Sequence, residues 1–148
     1  MLRNAGYECY VPIKAEIHDW SDRKKLVERV LIPHHVFVRC TEAERMKSFE
    51  AAPGRLRGYL NEREPRRPSV VPDREMENFR RMVDYGQSEI SITQERFRAG
   101  DHVRVTEGPL KDMECELVSV GAKRCIIIRL GQIGAVKMEI NKALVRKI

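Results

Sequence analysis

The feature that most constrains the fold is the alternation of apolar and polar residues after Phe97. It starts in the stretch GDHVRVTEGPLKDMECELVSV, where Val103 and Val105 share one face of a strand and polar residues take the other. A period of two is typical of half-buried β-strands. The pattern recurs at Ile126, Ile128 and Leu130, and again at Val136, Met138 and Ile140. The last third of the chain is therefore predicted to be all β.

Turn residues separate these alternating segments. They are Gly108-Pro109, Gly121 and the segment from Gly131 to Gly134. About five short strands fit into about fifty residues, and antiparallel sheets of this size remove their exposed edges by closing. We therefore predict a small antiparallel β-barrel over residues 97–148.

The beginning of the chain mixes strands with a helix. Residues Tyr7 to Ile13 and Leu31 to Val38 are rich in β-branched and aromatic residues and predict two strands, joined by a polar hairpin connection. Thr41 and Glu44 have the spacing of a capping box, which predicts a helix beginning there and ending at Pro53-Gly54. Its apolar face would consist of Met46 and Phe49.

The middle of the chain predicts a short strand, a loop and a second helix. Arg57 to Asn61 is the candidate strand, and the proline-rich and charged EREPRRPS after it is the loop. The helix begins at Pro72-Asp73 and ends at Gly86, with an apolar row at Met76, Phe79 and Val83. Residues 87–96 hold few large apolar side chains, which predicts a linker between two folding units.

Composition is compatible with an anionic partner and indicates no membrane span. The 148 residues carry 28 Lys and Arg against 22 Asp and Glu, a formal net charge of +6 and a pI of about 9.3. This excess is compatible with nucleic-acid binding without requiring it. The sequence has no apolar run of membrane-spanning length and no secretory signal pattern, so we expect a cytoplasmic protein.

The residues that could carry chemistry are scattered. The chain has four cysteines and four histidines, none in the close pairs of a zinc site: Cys9, Cys40, Cys115, Cys125, His18, His34, His35 and His102. They form no nucleophile, base and orienter arrangement with Asp19 or Asp22. We therefore expect reduced cysteines, no metal, no cofactor and no catalytic residues.

Two segments together resemble the NusG family of transcription elongation factors. The pattern Gly-Asp-x-Val-x-Val-x-x-Gly-Pro-Leu from Gly100, followed later by GQIGAVKMEINKALVRKI, resembles the family's KOW domain. The strand ending in YVP, the charged loop, LIPHHVFV and the helix after it resemble the family's N-terminal (NGN) domain. The loop sequence Trp20-Ser21-Asp22-Arg23-Lys24-Lys25 is most similar to that of the UpxY subgroup, which serves capsule-polysaccharide operons.

The resemblance implies an α+β protein of two domains. Residues 1–86 would be a ferredoxin-like NGN domain lacking its first strand and helix, residues 87–96 a linker, and residues 97–148 an SH3-like KOW β-barrel. It also implies a regulator that binds the clamp of the largest RNA polymerase subunit and the DNA or RNA of the elongation complex. Such a protein promotes antitermination. Through its KOW domain it would recruit Rho or a small-subunit ribosomal protein.

The resemblance further implies three groups of site residues. The polymerase-binding patch would be Ile32, Pro33, His35 and Phe37, although strand alternation equally allows some of these a place in the core. The nucleic-acid contacts would be Trp20, Arg23, Lys24, Lys25, Arg55 and Arg57. The KOW partner would meet Gly108, Pro109, Leu110 and Met113.

Two other classes of function compete with this interpretation. A ribosomal or RNA-binding KOW protein would explain the basic charge and the barrel but not the strands and helix that precede it. An enzyme would need an arrangement of catalytic groups that the sequence does not contain. Affinity for RNA alone, without affinity for polymerase, would favour the RNA-binding alternative.

Overall fold

A computed structural model describes residues 1–86 and 89–148, and within it the chain forms two compact units. The first unit is Met1–Tyr59 and the second is Leu60–Ile148. The sequence predicted a boundary at residues 87–96 instead. These two divisions differ, and the domain boundaries remain a prediction.

The first unit contains two separate two-stranded antiparallel sheets and one helix. Strand β1 (Glu8–Tyr10) pairs with β4 (Phe37–Arg39), and β2 (Ile13–Trp20) pairs with β3 (Arg23–Val30). The predicted polar hairpin connection is thus itself a β-hairpin with two long strands. The single sheet of a ferredoxin-like domain is not seen among the described residues of this unit.

Helix α1 (Glu42–Ala51) begins at the predicted capping box. The Glu44 backbone N–H donates to the Thr41 hydroxyl at 3.2 Å, and the Thr41 N–H donates to the Glu44 carboxylate at 3.0 Å. The predicted apolar face is wrong, because Met46 is 61% exposed and the buried side chain of the helix is Ser48. The Ser48 hydroxyl lies 2.8 Å from the hydroxyl of Tyr59 and is thereby hydrogen-bonded in the interior.

The second unit contains one helix and a six-stranded antiparallel sheet. Helix α2 (Asp73–Tyr85) has the predicted bounds, with Pro72 before it and Gly86 after it. The strands are β5 (Ile90–Thr93), β6 (Asp101–Val105), β7 (Glu114–Val120), β8 (Lys123–Arg129), β9 (Ala135–Glu139) and β10 (Val145–Lys147). Their order in the sheet is β10-β6-β7-β8-β9-β5.

The core of the second unit follows from the apolar periodicity. Strand β8 is buried on both faces, since Ile126 and Ile128 are fully buried and so is Ile127 between them. Ile127 packs in a cluster with Val118 and Cys125, on the face opposite Ile126. Phe79, Met82 and Val83 give α2 a buried face, as the spacing predicted for Phe79 and Val83.

Three expectations about residues 57–148 differ from what the structure shows. The six-stranded sheet is not closed in the part of the chain that the structure describes, so the barrel is not confirmed. Within the predicted linker, Ile90–Thr93 forms a strand that pairs with β9, while Gln87 and Ser88 lie outside the described residues. The strand predicted for Arg57 to Asn61 does not form, and its one β-bridge joins Asn61 to Pro68.

None of the helices described in residues 1–86 and 89–148 combines the length and apolar character that crossing a membrane requires.

Candidate functional site

The β2–β3 hairpin is the most distinctive surface of the first unit. Trp20 pairs with Arg23 across a two-residue turn, Ser21-Asp22, and the pairing continues without a break to Ile13 and Val30. Paired residues lie on the same face of an antiparallel ribbon, and successive pairs alternate between faces. The hairpin therefore has two faces of different chemistry.

One face of the hairpin carries four exposed apolar side chains, with the Ala15–Glu28 pair between them and the Asp19–Lys24 pair at the tip. Ile17 pairs with Leu26, and these two side chains are 72% and 66% exposed. Ile13 pairs with Val30 on the same face, and both are also exposed. An exposed cluster of large apolar side chains is typical of a surface that binds another protein. We call these four residues, Ile13, Ile17, Leu26 and Val30, the apolar face.

The apolar face was not predicted from the sequence. Its signal was present, because Ile13 and Ile17 are four residues apart within an alternating segment, and the same holds for Leu26 and Val30. The high density of charged residues between them led to the interpretation of a polar connection. The structure shows that many of those charges belong to the opposite face.

The opposite face, which we call the basic face, is centred on Trp20. The Trp20 side chain is 49% exposed, and its ring centroid lies 5.6 Å from the guanidinium carbon of Arg23 and 5.5 Å from the amino group of Lys25. These are cation–π distances. Lys14 and Arg29 form another pair on this face. With Arg23 and Lys25, the face carries four cationic side chains and one carboxylate, Glu16.

The single carboxylate of the basic face interacts with neighbouring side chains nearer the base of the hairpin. The Glu16 carboxylate accepts from Arg29 at 2.8 Å, and His18 lies 3.3 Å from its other oxygen. Arg23 and Lys25 lie at the opposite end, beside Trp20. The exposed end of the basic face therefore combines an aromatic ring with two cations, which suits stacking on a base and contact with phosphates.

Lys24 does not share the face of Arg23 and Lys25. It pairs with Asp19, at the end of the face that carries Ile17 and Leu26. Strand alternation thus separates a run of three cations that the sequence grouped as one nucleic-acid contact. Trp20, Arg23 and Lys25 are brought together, and Lys24 is not.

The predicted polymerase-binding patch is only partly on the surface. Ile32 is 6% exposed and belongs to the interior of the first unit, which favours the core place that the sequence left open for it. Pro33 and His35 are exposed, and the His35 ring lies with Nδ1 2.8 Å from the Pro33 carbonyl. Phe37 is half-buried, with its ring centroid 6.4 Å from that of Tyr10.

A turn lies inside the predicted strand from Leu31 to Val38. His34 has a positive φ of 65°, so the chain does not stay extended from Leu31 to Val38. Simple alternation therefore assigned faces to residues that do not lie in one strand. Arg55 and Arg57, the other predicted nucleic-acid contacts, are both exposed in the loop after α1.

The predicted partner-binding loop of the second unit also divides into surface and core. Gly108 has a φ of +87°, which favours glycine, and Pro109 is exposed. Leu110 is buried, and Met113 is 1% exposed. The last two therefore lie in the interior, whereas the predicted role needs their side chains at the surface. The turn allows this because it returns the chain into the sheet, where the Val105 N–H donates to the Met113 carbonyl at 3.0 Å.

A cleft of about 350 Å³ lies beside the start of α2 in the second unit. Several of its charged groups already pair with each other: Arg74 binds Glu114, and Arg129 binds Glu116 at 2.8 Å. Burial raises the pKa of the Cys115 thiol to about 12, which keeps it in the unreactive protonated form. Within the described ranges, no group of three or more His, Cys, Asp or Glu residues could hold a metal ion.

Comparison with known proteins identifies a family through the sequence of the chain. The family model described as "Transcription termination factor nusG" matches residues 1–80, more than half of the 148 residues. Among solved structures, "Domain interaction in Thermotoga maritima NusG" is similar at 19% identity with a TM-score of 0.42, covering 99% of this chain and 84% of that chain. No match to a curated protein was found.

Proposed function

Because the chain belongs to the NusG family, whose members are non-enzymatic transcription factors, we propose that it regulates transcription elongation through the two faces of its hairpin. The apolar face binds RNA polymerase, and the basic face binds DNA or RNA of the same elongation complex. NusG-family proteins generally interact with RNA polymerase and act in the cytoplasm. The protein thus works by holding two components together rather than by making or breaking bonds.

The observation that carries this proposal is the pairing of two unlike surfaces on one ribbon. Ile17 and Leu26 expose apolar area that suits a protein surface. Trp20, on the other side of the same strands, lies within cation–π distance of Arg23 and Lys25. A thin ribbon with these two faces fits between a protein and a nucleic acid. An elongation complex presents both components side by side.

The finer parts of the proposal come from the sequence resemblance. We propose that the protein promotes antitermination and processive elongation of polysaccharide operons, as the likeness of residues 20–25 to the UpxY subgroup implies. The clamp of the largest polymerase subunit is the proposed contact of the first unit, with Pro33 and His35 as further candidate residues besides the apolar face. Arg55 and Arg57 remain candidate nucleic-acid contacts because they are exposed.

A second partner would bind the second unit. Rho and a small-subunit ribosomal protein are the candidates that the resemblance implies. Since Leu110 and Met113 are buried, we assign this contact to the exposed turn at Gly108-Pro109. The six-stranded sheet then acts as the support for that turn.

Binding of the whole chain to purified core RNA polymerase of its host tests the proposal. Ile17→Asp places a charge in the apolar face and is expected to weaken binding by about 10-fold or more, as the loss of an interface anchor does. Met46→Asp is the matched control, since Met46 is a similarly exposed apolar residue on α1. Circular dichroism establishes that both variants fold.

Two outcomes would overturn the proposal. In the first, a folded Ile17→Asp variant binds polymerase as tightly as the unaltered chain. In the second, the unaltered chain binds RNA in a salt-dependent manner and has no affinity for polymerase, which would support the RNA-binding alternative instead.

A further inference from the structure

A loop in the second unit presents three arginines from a fixed base. Between Leu60 and Ser69 the chain reverses direction, and the Ser69 N–H donates to the Leu60 carbonyl at 2.7 Å. Inside that turn, the Glu62 N–H donates to the Arg67 carbonyl at 2.7 Å. We call residues 62–69 the arginine loop. Its two ends are closed by backbone hydrogen bonds, so the residues between them have limited freedom.

Side-chain hydrogen bonds fix the base of the arginine loop to a turn of the sheet. The Glu62 carboxylate accepts from the Ser69 hydroxyl at 2.9 Å and from the Gln132 side-chain amide at 2.9 Å. The Gln132 backbone N–H donates to the Ser69 hydroxyl at 3.3 Å. These donors hold the pKa of Glu62 below its ordinary value, first through Gln132 and then through Ser69. The Glu62 carboxylate is therefore occupied in holding the loop.

The packing at Gly131 shows how closely the two segments approach. A Cβ at this position would lie 2.1 Å from the Ser69 hydroxyl oxygen, and Gly131 has a φ of +62°. Only glycine allows both the turn and this contact. The base of the arginine loop is thus a packed junction with the turn at Gly131–Ile133.

The tip of the arginine loop is positively charged and exposed to solvent. Arg63, Arg66 and Arg67 are all exposed, and Glu64 is the one acidic residue among them. In the part of the chain that the structure describes, none of the three guanidinium groups forms an ion pair, although the charge of Arg67 helps to lower the pKa of Glu62. Other arginines, on the helices and strands, do form such pairs here, as Arg45 does with Glu42 and Arg104 with Glu114.

We infer that the arginine loop binds the phosphate backbone of a nucleic acid. Guanidinium groups match phosphate oxygens with paired hydrogen bonds, and three of them within five residues span neighbouring phosphates. The fixed base lowers the entropic cost of ordering the loop on binding. This contact lies in the second unit and is separate from the basic face of the hairpin. It does not depend on polymerase binding.

Salt-dependent binding of the whole chain to two labelled probes, a single-stranded RNA and a DNA duplex, tests the inference in the absence of polymerase. The triple variant Arg63→Ala, Arg66→Ala, Arg67→Ala is expected to lower the slope of log affinity against log salt by roughly two units, because each phosphate that is no longer neutralised removes about 0.7 to 0.9 unit. A lower slope with one probe alone identifies RNA or DNA as the ligand. A lower slope with both identifies a backbone contact common to the two.

A matched control removes the same charge elsewhere in the second unit. Lys111→Ala, Lys142→Ala, Arg146→Ala also deletes three exposed cations, and its slope is expected to stay within about half a unit of the unaltered chain. An equal fall in slope for the two triple variants would show a general charge effect and would overturn the inference. An unchanged slope for the arginine-loop variant with both probes would also overturn it.

A third variant tests whether the fixed base matters. Gln132→Ala removes a donor to Glu62 and keeps every cation. The affinity for the bound probe is expected to fall about 2- to 5-fold while the salt slope stays the same, because the number of phosphates contacted is unchanged. Unchanged affinity would contradict the role assigned to the hydrogen-bonded base.

Discussion

Lys25 and Trp20 meet across the hairpin, with the lysine amino group 5.5 Å from the centroid of the indole ring. Arg23 approaches the same ring at 5.6 Å. This arrangement keeps two cations beside an exposed aromatic surface, where both can reach one nucleic-acid strand. Lys24 lies between Arg23 and Lys25 in the sequence but on the opposite face of the hairpin.

The separation of Lys24 gives a prediction with an internal control. Arg23→Ala and Lys25→Ala are each expected to lower the salt slope of binding to an elongation-complex nucleic-acid scaffold by roughly one unit. Lys24→Ala removes the same charge from the opposite face and is expected to leave the slope unchanged. Three equal effects would show that the hairpin contributes only general charge.

The sequence predicted those elements whose signals are local. The capping box at Thr41 and Glu44 marked the start of α1, and the Pro72 and Gly86 boundaries marked α2. Period-two alternation also predicted the strand containing Val103 and Val105. In each case the signal lies within a few residues along the chain, although the partners of the strand, β7 and β10, do not.

The sequence was a poorer guide to elements that depend on contacts between distant residues. Strand β5 forms because its residues pair with β9, which lies about forty residues further along the chain. Which residues share a face of the hairpin depends on the register of its two strands, and the sequence alone does not determine that register. Alternation likewise separates Ile32 from its neighbours without showing which side is the interior. The burial of Ile32 shows that its side is the interior.

Burial of Met113 predicts a stability effect in place of a binding effect. Met113→Ala leaves a cavity in the second unit and is expected to lower the free energy of unfolding by about 2 to 5 kcal/mol. Pro109→Ala, in the same loop and exposed, is expected to change it by less than about 0.5 kcal/mol. Urea denaturation of the two variants measures both values. A stable Met113→Ala variant that no longer binds a partner would restore the surface role.

The ion pair between Arg129 and Glu116 predicts a pH dependence of stability. Hydrogen bonds from Arg129 hold the pKa of Glu116 below the ordinary 4.5, while burial opposes the shift. Because the folded chain favours the carboxylate, its contribution is present above pH 4.5 and is lost as the pH falls through the lowered pKa. Glu116→Gln is expected to lower the Tm at pH 7, with a difference that narrows below pH 4.5.

Glu139→Gln is the control for the pH experiment. Glu139 is an exposed carboxylate 3.5 Å from Lys123, and exposed pairs of this kind contribute little. Its Tm is expected to follow that of the unaltered chain at every pH. A Glu116→Gln difference that stays constant from neutral to acidic pH would show that the effect comes from packing.

The two candidate domain boundaries predict different proteolytic fragments. If the compact units are the folding units, the first stable C-terminal fragment starts before Asp73 and keeps both α2 and β5. If the boundary lies at residues 87–96, the fragment starts after Thr93. Limited trypsin digestion followed by mass spectrometry distinguishes the two.

Site-specific crosslinking tests the two-faced hairpin most directly. A photo-crosslinking side chain is placed at position 17 in one variant and at position 20 in another, and each variant is irradiated in elongation complexes of the host polymerase. Ile17 and Trp20 lie on opposite faces of β2. We predict crosslinks from position 17 to a polymerase subunit and from position 20 to DNA or RNA. Crosslinks from both positions to the same component, or from neither position to the complex, would contradict it.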